Sequence, residues 1–342
     1  MRITNQMKSF FSVLVLLCMI GGVQAQDPHF SQFFASPPTL NPALTGRFDG
    51  NFRVAGNYRN QWPTINNAFT TATVSFDMPI LANRIPEYDT WGVGIMALND
   101  KSGNKILNNN FVSLSTAYHK GLDENGYHQL TVGFQGTYAS KRLDVSRADF
   151  QDELTALGFT GVTSEVFNNT QVALNYFDLN TGIMYAGTTN SYNSFYLGAS
   201  VYHINRPKES FQGGNFVLNP RVTIHGGGYV PVGQFKMLHA SFIHQRQAGA
   251  TETVAGAAMS FNVNYDEENP IDLYGGMWYR FNDALIPYVG LEFSGIRVGF
   301  SYDFNTSSLQ TATNSRGGTE ISIIYVSKPA DKTTRKTNCP KF

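Results

Sequence analysis

Cysteine is almost missing: two residues in 342, Cys18 and Cys339. Cys18 lies in an N-terminal stretch that reads as a cleaved signal, so the exported chain keeps one thiol. That excludes an intrachain disulfide framework and any cysteine-rich zinc site. Charge is scarce as well, at 15% of residues, where a soluble domain carries about a quarter. The signal holds two of the 25 basic residues and none of the 25 acidic ones, leaving a net charge of −2. No basic surplus is available for a nucleic-acid backbone, and no acidic surplus points to disorder. Beyond the signal, no apolar run approaches the roughly 20 residues of a membrane helix.

Catalytic signatures are absent too. There is no Gly-x-Ser-x-Gly elbow, no His-Glu-x-x-His and no phosphate-binding loop. His29, His119, His128, His203, His225, His239 and His244 show no metal-ligand spacing. His239 and His244 are five apart on an expected strand and so point to opposite faces. Gly226-Gly227-Gly228 lacks a following helix and lysine; in a strand such glycines permit bending or close contact. Asp149, Asp152 and Glu153 read as a solvated helical turn rather than an acid/base set. No catalytic, cofactor-binding or metal-binding residue is assigned, and an enzyme is not expected.

What is present begins with an export signal. Arg2 and Lys8 precede an apolar stretch, Phe10 to Ile20, which ends in Val23-Gln24-Ala25. This is the order of a secretory signal peptide over residues 1–25, with Gln26 as the first mature residue. Lipoprotein processing at Cys18 is disfavoured because Leu17 stands where a small residue is needed. Gly, Phe and Tyr are abundant, and mean hydropathy is −0.22. Low charge, many aromatics and no membrane helix suit a transmembrane barrel, which hides its apolar residues at alternate positions.

The alternation is visible. Ala72, Val74, Phe76 and Met78 interleave with Thr71, Thr73, Ser75 and Asp77. Ile296, Val298, Phe300, Tyr302 and Phe304 interleave with Arg297, Gly299, Ser301 and Asp303. Leu130, Val132, Phe134, Gly136 and Tyr138 form a third such register. Charged residues are costly in lipid, so the polar register faces inward. Fourteen strands are expected, near 51–61, 69–79, 90–99, 110–120, 129–142, 175–188, 194–203, 221–230, 235–246, 251–265, 271–281, 283–293, 296–304 and 319–326. The expected fold is therefore all-β: an antiparallel transmembrane barrel over 51–326. With the N-terminus periplasmic, the long connections 143–174, 204–220 and 305–318 face outward. The opposite connections are mostly short, the usual asymmetry of such barrels, with 80–89 the longest.

Two pieces lie outside the barrel. Residues 26–50 read QDPHFSQFFASPPTLNPALTGRFDG. Their four prolines argue against a regular element, yet Phe30, Phe33, Phe34, Leu40 and Leu44 are too apolar to float freely. The segment is expected in the lumen or at the periplasmic mouth, as a plug. Asn57, Arg59 and Gln61 share the inward register and are expected to bond to the Asn41-Pro42-Ala43-Leu44-Thr45-Gly46 part of it; Gln32 belongs to the same motif. Tyr58 and Trp62 then face lipid. Residues 327–342 form a basic tail, read either as solvated or as a periplasmic docking peptide through Lys336, Cys339, Pro340 and Phe342.

Three strings carry a resemblance: Asp27-Pro28-His29-Phe30-Ser31-Gln32-Phe33, Leu40-Asn41-Pro42-Ala43-Leu44-Thr45-Gly46, and Asn57-Tyr58-Arg59-Asn60-Gln61-Trp62. In this order, with the closing Cys339-Pro340-Lys341-Phe342, the chain resembles the PorP/SprF family of type IX secretion system membrane proteins. The resemblance implies an outer-membrane barrel of a Bacteroidetes bacterium that serves protein export, in some members the export of gliding adhesins. The partners it implies are the large translocon barrel, periplasmic components and the C-terminal sorting domain of cargo; outer-membrane lipid surrounds the barrel, and from charge and motifs no nucleic acid and no cofactor are expected. A filled lumen suits an accessory that receives or retains cargo. A transporter of small or hydrophobic solutes is the alternative.

Overall fold

The computed structural model describes residues 27–327 apart from 66–67, 82–84, 87, 125, 165–170, 190–192, 212–214 and 266–268. The signal stretch and Lys336, Cys339, Pro340 and Phe342 of the expected docking tail lie outside the described residues.

Fourteen antiparallel strands close into a barrel. They are β1 (Arg53–Gln61), β2 (Phe69–Ile80), β3 (Thr90–Ser102), β4 (Leu107–Gly121), β5 (His128–Asp144), β6 (Gln171–Gly187) and β7 (Ser194–Tyr202). They continue as β8 (Arg221–Gly233), β9 (Lys236–Gln247), β10 (Ala250–Asn262), β11 (Ile271–Arg280), β12 (Ala284–Phe293), β13 (Ile296–Asn305) and β14 (Arg316–Val326). Each strand pairs with its sequence neighbours, and β1 meets β14 from Arg53↔Val326 to Gln61↔Gly318. Closure gives every strand a neighbour on both sides, as the hydrocarbon layer requires, although β6 pairs with β7 only over Thr181–Gly187.

Alternation decides which way every side chain points. In β5, Leu130, Val132, Phe134 and Tyr138 are exposed, while Thr131, Gln135, Thr137 and Ala139 are buried. The same division runs through β2, where Val74, Phe76 and Met78 are outside and Thr73, Ser75 and Asp77 inside. His239 is buried and His244 exposed, as their odd spacing requires. The apolar half of each strand forms the belt that meets lipid, and the polar half lines the lumen.

All fourteen expected strands are present, but β3 to β6 run longer than their apolar alternation. β4 begins at Leu107 and β5 ends at Asp144. Ladder pairing continues there through polar residues such as Asn108, Asn109 and Arg142, and these carry no hydrophobic signal to mark a strand. The connection after β5 also differs from a simple helical turn. A 3-10 turn, Gln151–Glu153, is followed by a tight ladder pairing Leu154 with Phe159 and Thr155 with Gly158. Glu153 is buried, and Asp152 accepts from Thr163 and Ser164.

Candidate functional site

The lumen is occupied by the chain's own N-terminal segment. Proline breaks it into short turns, Phe33–Ala35, Pro37–Leu40 and Pro42–Leu44, so its backbone groups cannot be satisfied by a ladder of its own. The barrel wall supplies partners instead. Asp27 lies at the mouth where the odd-numbered strands end, beside His203 and Arg221. Gly46 lies at the opposite mouth, where its N–H donates to Asp77 at 2.7 Å. The segment therefore runs the length of the barrel.

Three sets of contacts fix it. At the first mouth, His203 bridges Asp27 (2.6 Å) and Asp178 (2.9 Å), and Gln247 exchanges two hydrogen bonds with Asp27. Burial favours a neutral imidazole, but the Asp27 and Asp178 carboxylates outweigh it and hold His203 at a pKa of about 9. Just below, Asp303 receives Arg59 (3.0 Å), Arg280 (2.9 Å) and the Ser31 hydroxyl (2.8 Å). Arg59 also donates to the His29 carbonyl at 2.9 Å. Glu320 accepts from the Ser31 and Gln32 N–H groups and from Asn57, while Gln32 bonds Ser301 and Ser322. Phe34 packs on Trp278 and Tyr288 with ring centroids 5.2 and 5.6 Å away.

In the middle, Asn41 is fully buried. Its Oδ1 accepts from the Ala43 N–H, which fixes Nδ2 as a donor to His225 (2.9 Å) and to the Ile183 and Ala199 carbonyls. Because an amide nitrogen only donates, His225 Nε2 must be unprotonated. At the second mouth, Thr45 donates to Ser115 at 2.9 Å, and its carbonyl receives His119 at 2.8 Å. Arg53 grips Asp77 in a bidentate pair and reaches the Leu44 carbonyl. Arg47 bonds Gln129.

Wall glycines make the approach possible, Gly92 against Thr45 and Gly46 among them. A Cβ at Gly133 would strike the backbone of Pro42 and Ala43, and one at Gly182 would strike Asn41 Oδ1. Beside the segment a small recess, open to solvent, remains among Asp27, Thr39, Gln135, Tyr202 and Arg221.

Gln32, Asn41 and Pro42 are buried in the lumen, and Asn57 and Arg59 face the segment. Their partners are different from those expected. Arg59 reaches His29 and Asp303, and Asn57 reaches Glu320; the Asn41–Gly46 part is held by Ile183, Ala199, His225, Ser115 and His119, and by Arg53 and Asp77 near the second mouth. Gln61, half-buried at the end of β1, pairs with Phe69 and Gly318 in the ladder. Tyr58 is exposed, and Trp62 packs edge-on against Phe69. His119, His203, His225, Asp77, Arg280 and Glu320 also hold the segment, and sequence reasoning does not single them out. Their one signal is charge or imidazole in an inward register. Among the described residues, no group of three His, Cys, Asp or Glu is placed to hold a metal ion.

The sequence model of the family described as type IX secretion system membrane protein PorP/SprF matches residues 22–325. The chain belongs to the PorP/SprF family. It is thus a membrane component of the type IX secretion system, and its closed barrel with an apolar outer belt lies in the outer membrane. No curated protein matches it. Similar solved structures include the toluene transporter TodX of Pseudomonas putida (10% identity, TM-score 0.48, 89% of this chain and 94% of that one). A FadL homologue of Pseudomonas aeruginosa has 9% identity and a TM-score of 0.47, over 83% of this chain and 92% of that one. The toluene transporter TbuX of Ralstonia pickettii has 11% identity and a TM-score of 0.46, over 85% and 92%.

Proposed function

We propose that this PorP/SprF barrel is an accessory of type IX secretion that receives or retains cargo beside the channel, and that it works by binding rather than by catalysis. The observation that supports this is the threaded segment. A lumen crossed from Asp27 to Gly46 and tied to the wall at both mouths has no room for a polypeptide in transit. Cargo must then meet the outer surface of the barrel, its loops or its mouths. The cargo class in this reading is exported protein bearing the C-terminal sorting domain, and the partners are the translocon barrel and periplasmic components. The end of the barrel bearing the connections after odd-numbered strands faces the cell exterior in this reading, because the long connection after β5 lies there.

The test is deletion of the gene, followed by mass spectrometry of the cell surface and the medium. Selective loss of proteins carrying the sorting domain is expected. Intact export with altered solute uptake would replace this reading with the transporter one.

A further inference from the structure

The outward face of the barrel is not uniform at the rim where odd strands end. From β11 round to β2 that rim is aromatic, with Trp62, Phe69, Phe281 and Phe304 half-buried or exposed. On β3 to β6 the apolar surface stops lower. Ala97, Val112, Tyr138 and Phe177 make one cross-strand row. Directly above them comes an amide row, Asn99, Asn110, Ser140 and Asn175. Above that comes Lys101, Asn108 and Arg142. Neighbours in each strand fix the orientation of these side chains. Asp100, Asn109 and Ala139 are buried inward, so Lys101, Asn108 and Arg142 point out.

The amides are already ordered. Asn99 Nδ2 donates to both Asn108 and Asn110 at 2.8 Å. Lys101 and Arg142 make no ion pair among the described residues, and Lys105 stands exposed in the turn above them. The outward carboxylate in this sector, Asp144, sits two residues beyond Arg142 and accepts from Ser146. Strands lie about 4.8 Å apart, so one intervening strand places the two cations roughly 10 Å from each other. Four residues of a tilted strand lift them about 10 Å above the last apolar row, at the outer edge of a headgroup layer. Long basic side chains reach back down into that layer.

We propose that this face of β3 to β5 binds the phosphorylated headgroup of an outer-leaflet glycolipid. Lys101 and Arg142 pair with phosphate, and the asparagine carboxamides hydrogen-bond the sugar. Lipid is the neighbour of an outward face at this height, and phosphate complements two cations that have no carboxylate partner among the described residues. The site would fix the rotation of the barrel relative to partners in the same membrane.

The experiment is native mass spectrometry of the full protein in mild detergent, with added bis-phosphorylated lipid A, dephosphorylated lipid A or phosphatidylglycerol. Bis-phosphorylated lipid A should stay bound preferentially. The Lys101→Glu/Arg142→Glu variant should lose roughly tenfold or more of that binding, whereas Arg246→Glu, outward on β9, should not. Gel migration of unheated sample verifies that each variant barrel is closed. Equal retention of dephosphorylated lipid A, a preference for phosphatidylglycerol, or undiminished binding by the closed double variant would each overturn the proposal.

Discussion

Arg59 carries several ties at once. It holds the His29 carbonyl and Asp303, and Asp303 also holds Arg280 and Ser31. Removing one partner of a buried ion pair leaves an uncompensated charge and costs about 3–5 kcal/mol. Arg59→Ala should therefore release the outer part of the segment, seen by limited proteolysis as new cuts within residues 27–35. Unchanged protection would show that the aromatic packing of Phe34 suffices alone. His203 is a tie that responds to pH. Its pKa of about 9 stands above the ordinary 6.5. Its bond to Asp27 is thus complete below pH 6.5 and fades as pH rises through about 9. Amide exchange of residues 29–31, corrected for intrinsic rate, should accelerate as pH rises through that value, and His203→Gln should abolish the dependence.

At the scale of elements, strands and plug are legible to different degrees. The strands announce themselves locally: Val74, Phe76 and Met78 alternate with Thr73, Ser75 and Asp77. Period-2 alternation is a property of neighbours in sequence, so it can be read without knowing the fold. The ends of β4 and β5 escape such a reading because Asn108 and Arg142 extend the ladder with no apolar mark. The segment 27–50 is recognisable as non-regular and apolar, which points it to the lumen. Its contacts are not recognisable, since Gln32 meets Ser322 and Asn41 meets His225 across 290 and 184 residues. Nothing in a polar inward register says which of its members a Pro-rich chain will touch.

The inner wall and the lipid face can each be probed by one substitution. Gly182→Val places a side chain where Asn41 sits, so the segment should lose protection while the barrel stays closed. Phe134→Arg puts charge in the middle of the lipid face, where Phe134 is 58% exposed, and should cost about 2–4 kcal/mol. Urea unfolding in liposomes measures it, with Gln135→Thr on the inner face as a milder comparison.

For the whole molecule, a closed barrel in a secretion family presents a choice between conduit and accessory. The accessory role requires the segment to stay in place during export. Thr45 and Ser115 offer a direct test because their hydroxyls are 2.9 Å apart and both residues are buried. Converting both to cysteine should allow a disulfide that locks the segment to β4. Export of sorting-domain proteins is then compared between oxidised and reduced cells. Undiminished export from the locked barrel is the predicted result; export that stops on oxidation and resumes on reduction would mean the lumen must open, and would contradict the accessory role.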